Sequence, residues 1–189
     1  MEATYNCDRH TKPCYIIRRR AAHRLSAWRW RCPTCGGIFI RHMTIGPVTR
    51  PYRGIRETDP WGSGLFDARR DGGLRTHKGV DFIALPGDVA IAPISGVVKR
   101  HVLVYSGGNL RGLVLEGAGQ YWPYYCKILY VLPCVAEGQT VEKGQAIGDV
   151  QDVARYWQKK VPDRGRMTNH VHLEVRQWID AATIVERPT

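Results

Sequence analysis

Apolar residues after position 79 recur in short runs that turn-forming residues separate. The runs occupy 80–85, 89–91, 96–105, 113–115, 124–132, 146–150 and 171–178, and β-branched and aromatic residues are frequent in them. Runs of this length between Gly, Pro and Asp predict antiparallel strands. Beyond residue 66, a helical pattern occurs only at 153–160, and a short helix is possible at 16–28. We therefore expect a mainly β fold built on a compact antiparallel sheet.

The segment 46–66 is interrupted too often for regular structure. Its turn formers are Pro47, Pro51, Gly54, Pro60, Gly62 and Gly64. Such spacing favours an extended connection. We expect a terminal segment at 1–45, a Pro/Gly-rich linker at 46–66 and a larger domain at 67–189.

Positive charge is concentrated at the start of the chain. The 189 residues carry a formal net charge of +11, of which residues 1–55 contribute +9. Such a segment favours an anionic partner, which includes nucleic acid, a phosphate-rich envelope polymer or an acidic protein. Trp28 and Trp30 lie among the arginines, where they would either stack on bases or cover a small core. A solvated basic face is the alternative.

Cysteines in this segment have the spacing of metal ligands. Cys32 and Cys35 are separated by two residues and followed by Gly36 and Gly37, an arrangement that lets both thiolates reach one tetrahedral zinc. Two further ligands would come from Cys7, His10 and Cys14. This predicts a small zinc ribbon, and the alternatives are a disulfide or free thiols.

The sequence contains no export signal that we recognise. No apolar run approaches the ~20 residues that span a bilayer, and residues 1–20 lack the apolar core of a secretory signal. We expect synthesis in the cytoplasm, with no transmembrane segment. Action at a cell envelope would then require lysis, a dedicated machine or a particle.

Two short motifs carry the candidate chemistry. They are Arg75-Thr-His77-Lys-Gly-Val-Asp81 and Asn169-His170-Val-His172-Leu-Glu174. On a strand, side chains two or four residues apart point to the same face of the sheet. His77 and Asp81 would therefore share one face, and so would His170 and His172. Polar groups on a half-buried sheet need partners, and a divalent metal would satisfy them.

Together with the sequence between them, these motifs resemble the lysostaphin-like, or LytM-type, zinc endopeptidases of bacterial cell walls. The intervening sequence includes Gly87-Asp-Val-Ala-Ile-Ala-Pro93 and Val141-Glu-Lys-Gly-Gln-Ala-Ile-Gly148, and the resemblance spans 74–176. It implies a grooved antiparallel sheet, zinc ligands at His77, Asp81 and His172, and a catalytic role for His170. Three protein ligands leave a fourth position for water, whose pKa zinc lowers to ~7.

One position departs from the family pattern. The family has a catalytic histidine in a Tyr-x-His-Leu strand, where this chain has Tyr125-Cys-Lys127-Ile. Lysine at neutral pH donates but does not readily accept a proton. This stretch, with the Asn169–Glu174 motif, is similar to the leukocyte cell-derived chemotaxin branch, whose members keep the zinc fold and are not known as efficient peptidases.

Three functions follow as hypotheses. The first is a zinc endopeptidase that cuts peptidoglycan cross-bridges, carried by a bacteriophage virion or released at lysis, with His170 and Lys127 as catalytic residues. The second is a zinc-binding module with little or no activity that binds wall peptide or protein, for example a phage tail component with other tail proteins as partners. The third is a nucleic-acid-binding ribbon with an accessory β-domain, which would not require the retained zinc motifs.

Overall fold

The chain folds into two compact units. The computed structural model describes residues 45–177 in full and the backbone of residues 5–7, 10–14, 29–31 and 38–40. One unit spans 45–178, and the other comprises 1–44 together with 179–189. The larger unit contains every residue predicted for the catalytic zinc site.

Pairs of short strands form the described part of the smaller unit. Strand β1 (Tyr5–Cys7) pairs antiparallel with β2 (His10–Cys14), and β3 (Arg29–Arg31) pairs antiparallel with β4 (Ile38–Ile40). The register places Cys7 across from His10 and Cys14 across from Tyr5. Cys32 and Cys35 lie outside the described residues. The zinc ribbon therefore stays a prediction.

The larger unit is a series of antiparallel strands with one described α-helix, α1 (Val153–Lys160). The predicted mainly β fold is confirmed, and every run predicted as a strand overlaps an observed one. The strands are β5 (Thr49–Arg50), β6 (Thr58–Asp59), β7 (Gly62–Ser63), β8 (Arg69–Arg70), β9 (Arg75–Thr76), β10 (Val80–Ile83), β11 (Val89–Ile91), β12 (Gly96–Leu103), β13 (Arg111–Gly117), β14 (Tyr124–Leu129), β15 (Val131–Pro133), β16 (Thr140–Val141), β17 (Ala146–Val150) and β18 (His170–Gln177).

Two sheets contribute the core of this unit. A six-stranded sheet has the order β10-β18-β14-β13-β12-β16, and a four-stranded sheet has the order β15-β17-β11-β5. Burying each large aliphatic side chain contributes about 1.5–3 kcal/mol. Fully buried side chains come from both sheets: Val98, Leu113, Leu115, Ile128, Val141 and Val171 from the first, and Val131 and Ile147 from the second.

The helix α1 begins where its sequence supplies a cap. The carboxylate of Asp152 accepts a hydrogen bond from the Arg155 amide at 2.8 Å, which satisfies one of the free N–H groups of the first turn. Pro162 follows the last helical turn and cannot extend it. Val153 is fully buried, in a cluster with Leu110. The helix is thereby fixed to the β-domain.

The segment predicted as a linker, 46–66, lies inside the larger unit. Its strand β5 pairs with β11, and Ile55 pairs with Phe82 of β10. Val48 is fully buried. Proline and glycine prevent long strands here, but short pairings along existing strand edges still satisfy the backbone. The segment consequently covers the outer edge of β10.

Candidate metal centre

The three predicted zinc ligands converge from separate parts of the chain. Asp81 in β10 lies directly across from His172 in β18, so both side chains leave the same face of the sheet. His77 precedes β10 and follows the short strand β9. The expectation that His77 shares a strand with Asp81 was therefore wrong, although the two residues do meet.

Gly79 lets the loop carrying His77 approach β18. A side chain at this position would begin 2.2 Å from the carbonyl oxygen of Leu173 and 2.8 Å from the His172 ring. Both distances are shorter than van der Waals contact, so only glycine fits. This residue therefore allows the two histidines to stand next to each other.

The ligand atoms lie within one small volume. His172 Nδ1 is 2.9 Å from both Asp81 Oδ1 and His77 Nε2, and His77 Nε2 is 3.1 Å from Asp81 Oδ1. All three residues are at least nine-tenths buried. Donors of a tetrahedral zinc with bonds of 2.0–2.1 Å stand about 3.3 Å apart. The spacing fits this ion with little adjustment.

The proton positions also favour a cation. His77 Nδ1 is 2.8 Å from the carbonyl oxygen of Leu65, which can only accept, so this nitrogen carries the proton of the neutral ring. His77 Nε2 then turns a lone pair toward a carboxylate oxygen. A bound cation would remove this repulsion. A carbonyl partner that sets the tautomer is also the usual support of a metal-binding histidine.

The pKa of Asp81 shows how strongly the cluster favours its ionised form. Burial alone would raise this pKa, but the hydrogen bond from His172 and the other groups packed around the carboxylate lower it far below its ordinary value. Asp81 is therefore a carboxylate at neutral pH. The carboxylate and two imidazoles form a donor set typical of zinc.

The predicted catalytic residue His170 stands beside this cluster. Its Nδ1 donates to the Thr168 carbonyl oxygen at 2.8 Å, and its Nε2 is 3.7 Å from Asp81 Oδ2. Burial is the main cause that lowers the pKa of His170. The ring is thus neutral near pH 7, and Nε2 is free to accept a proton. The Tyr130 ring packs nearly perpendicular to the His170 ring, with 5.2 Å between centroids.

Lys127 lies on the same face of the sheet as the zinc ligands. It is across from Glu174, and Leu129 two residues later is across from His172. The Lys127 ammonium is 3.3 Å from Glu174 Oε2, and Arg176 Nε is 2.8 Å from the other carboxylate oxygen. The structure therefore pairs Lys127 with a carboxylate beside the cluster.

Sequence reasoning missed the residues that support the ligands from behind. Arg56 contacts Asp81 Oδ2, Asp59 binds the Thr168 amide, and Leu65 supplies the carbonyl for His77. All three belong to the segment interpreted as a linker. An arginine followed by an aspartate three residues later is too common a pattern to have predicted this role.

Comparison with known proteins identifies the family. The sequence model described as peptidase family M23 matches residues 75–184, which is more than half of the chain.

The chain belongs to peptidase family M23.

This family is zinc-dependent, and the His77, Asp81 and His172 cluster lies inside the matched region. Arg56, by contrast, precedes that region.

Curated relatives place the chain near the branch that its motifs resemble. It is 31% identical over 122 residues to leukocyte cell-derived chemotaxin-2 of Mus musculus, covering 64% of this chain and 72% of the relative. It is 32% identical over 149 residues to myeloid protein 1 of Gallus gallus, covering 77% of this chain but only 42% of the relative. The predicted family resemblance is confirmed.

Two solved structures are among those to which this chain is similar. The catalytic domain of the prophage-encoded M23 protein EnpA from Enterococcus faecalis matches with a TM-score of 0.47 and 20% identity, covering 71% of this chain and 87% of that one. The catalytic domain of lysostaphin from Staphylococcus simulans matches with a TM-score of 0.44 and 22% identity, covering 70% and 86%. No helix in the described part of this M23 chain is long and apolar enough to cross a membrane.

Proposed function

We propose that the protein is a zinc endopeptidase that cuts peptide cross-bridges of bacterial peptidoglycan. The observation that carries the proposal is the convergence of His77, Asp81 and His172 with no fourth His, Cys, Asp or Glu ligand among the residues that the structure describes. Catalytic zinc sites have three protein ligands and one exchangeable position, whereas structural sites are closed by four. The donor set thus supports catalysis more than a purely structural role.

Each residue near the cluster has a distinct task under this proposal. When bound, zinc supplies a Lewis acid and an activated water. His170 accepts a proton through Nε2, because its Nδ1 is committed to Thr168. Lys127 donates to negative charge that develops on the scissile carbonyl, provided that its ammonium leaves Glu174.

The test is digestion of purified peptidoglycan by the zinc-loaded protein, measured as newly released amino groups. Wild type should release them, and His77→Ala should not, because a ligand is lost. Arg53→Gln is the matched control, since Arg53 pairs with Asp88 and touches no residue of the cluster. If wild type and His77→Ala release amino groups equally, the proposed function is wrong.

A second candidate is a zinc-stabilised module that binds wall peptide without cutting it. The Lys127–Glu174 ion pair favours it, because a lysine held by a carboxylate replaces a histidine able to exchange protons near neutrality. Losing one positioned acid or base costs about 10²- to 10⁴-fold in rate. Sedimentation of the protein with insoluble peptidoglycan, without released amino groups, would support this candidate.

Delivery to the envelope is a separate part of the proposal. A wall-directed protein made in the cytoplasm would reach its substrate on a virion or after lysis, with tail proteins as partners in the first case. The +9 charge of residues 1–55 supports contact with an anionic partner, nucleic acid included. Immunogold labelling of particles and of lysing cells tests the delivery. Retention of the protein on columns that carry phosphate groups tests whether the positively charged segment binds an anionic partner.

A further inference from the structure

The two carboxylate oxygens of Asp81 face different partners. Oδ1 is within 3.1 Å of the imidazole nitrogens of His77 and His172. Oδ2 receives Arg56 Nη2 at 2.9 Å and Arg56 Nε at 3.2 Å, a two-pronged contact from one guanidinium. Arg70 Nη2 lies farther from the same oxygen, at 3.9 Å. The structure thus separates a metal-facing oxygen from an arginine-facing one.

Arg56 is held in this position from several directions. Its amide donates to the Asp81 carbonyl oxygen at 2.8 Å, and its side chain is 3% exposed. Gly64 allows the approach, because a side chain there would begin 2.5 Å from the Arg56 carbonyl oxygen and 3.1 Å from the Asp81 Cβ. A buried guanidinium with this support loses little freedom when it binds a carboxylate.

The same guanidinium also reaches the catalytic histidine through two intermediates. Arg56 Nη1 is 2.7 Å from Asp59 Oδ2, and this oxygen accepts the Thr168 amide at 2.9 Å. The Thr168 carbonyl in turn accepts His170 Nδ1 at 2.8 Å. One buried cation therefore connects the ligand Asp81 with the proton acceptor His170.

We propose that Arg56 is a positioning residue that restricts Asp81 to coordination through Oδ1 alone. If Oδ2 also turned to the metal, it would occupy the position that catalysis requires for water. Arg56 engages Oδ2 and so keeps this position available. The inference rests on the proposed zinc site. It adds a residue that lies outside the region matched by the family.

The test replaces zinc with Co²⁺, whose visible absorption is intense in four-coordinate sites and weak in five- or six-coordinate ones. After subtraction of the His172→Ala spectrum, which contains any Co²⁺ bound by the N-terminal cysteines, wild type should show the intense four-coordinate spectrum. Arg56→Met should show weaker absorption, because the freed oxygen joins the metal. Arg53→Met is the matched control, because Arg53 makes its two-pronged contact with Asp88, which is not part of the cluster, and its spectrum should equal that of wild type.

Two further variants distinguish the loss of the Arg56 contact from misfolding of the protein. Arg56→Lys keeps the positive charge but loses the two-pronged contact of the guanidinium, so its Co²⁺ absorption should also be weaker. Asp59→Asn keeps an oxygen for the Thr168 amide and removes the counter-charge of Arg56, so it should change the spectrum less than either arginine variant. An unaltered four-coordinate spectrum in folded Arg56→Met and Arg56→Lys would overturn the inference.

The failures of the two proposals are distinguishable. A wild-type protein that gives the four-coordinate spectrum but never cuts peptidoglycan would overturn the proposed function and leave the role of Arg56 intact. A wild-type protein that binds no Co²⁺ at the cluster would overturn both.

Discussion

Lys127 in β14 lies directly across from Glu174 in β18, with 3.3 Å between its ammonium nitrogen and Oε2. The register that pairs them also places Leu129 across from His172. Lys127 therefore occupies the metal-facing side of the sheet, where the family has a histidine. Glu174 neutralises the charge of Lys127, so the ammonium group can lie close to a metal site with less electrostatic repulsion.

Lys127→His tests whether this replacement limits the rate. The variant restores a group that exchanges protons near pH 7, so we expect peptidoglycan digestion to rise by about 10²-fold or more if wild type is slow. The measurement is the initial rate of amino-group release with saturating zinc. His170→Ala should be inactive in both backgrounds. If wild type digests peptidoglycan rapidly and Lys127→His is no faster, then lysine at position 127 is compatible with the mechanism.

His172→Ala tests the metal through stability. A ligand that binds only the folded state adds about 2.7 kcal/mol when its free concentration is 100 times its Kd. We expect zinc to raise the Tm of wild type and to raise that of His172→Ala much less. The N-terminal cysteines are present in both proteins, so the difference between them reports the His172 site. Equal zinc-dependent increases would contradict the assigned ligand.

Asp59 should make stability depend on acid pH. Burial would raise its pKa, but the hydrogen bond from the Thr168 amide and the ion pair with Arg56 outweigh burial and hold the pKa below its usual value. A carboxyl group with a lowered folded pKa stabilises the protein above its unfolded pKa, and that contribution is lost as pH falls through the folded value.

We therefore expect the free energy of unfolding of wild type to fall more steeply than that of Asp59→Asn between about pH 5 and pH 2. Urea denaturation with a chelator present measures both proteins without interference from metal. Parallel pH profiles would show that Asp59 has no lowered pKa.

The N-terminal ribbon is tested by metal stoichiometry. A short basic segment has little apolar surface, so a metal should supply much of its folding energy. We expect two zinc ions per intact chain, one after removal of residues 1–45, and one in the variant Cys32→Ser. One ion in the intact chain, retained after the removal, would rule out a zinc ribbon.

The sequence by itself predicted the main strands and the three candidate zinc ligands. Strand-forming runs are local patterns, and each predicted run overlaps a strand of the structure. His77, Asp81 and His172 were named from two motifs whose spacing the family shares. Both patterns can be recognised in the sequence because each is formed by residues that lie close together along the chain.

The tertiary structure decided which distant groups support those ligands. Asp81 and His172 meet only because β10 and β18 pair in one register. Arg56 and Asp59 reach the site because a segment rich in proline and glycine pairs along the free edge of β10 rather than extending into solvent. Such contacts depend on sheet register and on buried charge pairing across many residues, which no local pattern encodes. The direction of Lys127 was decided in the same way, by its partner in β18.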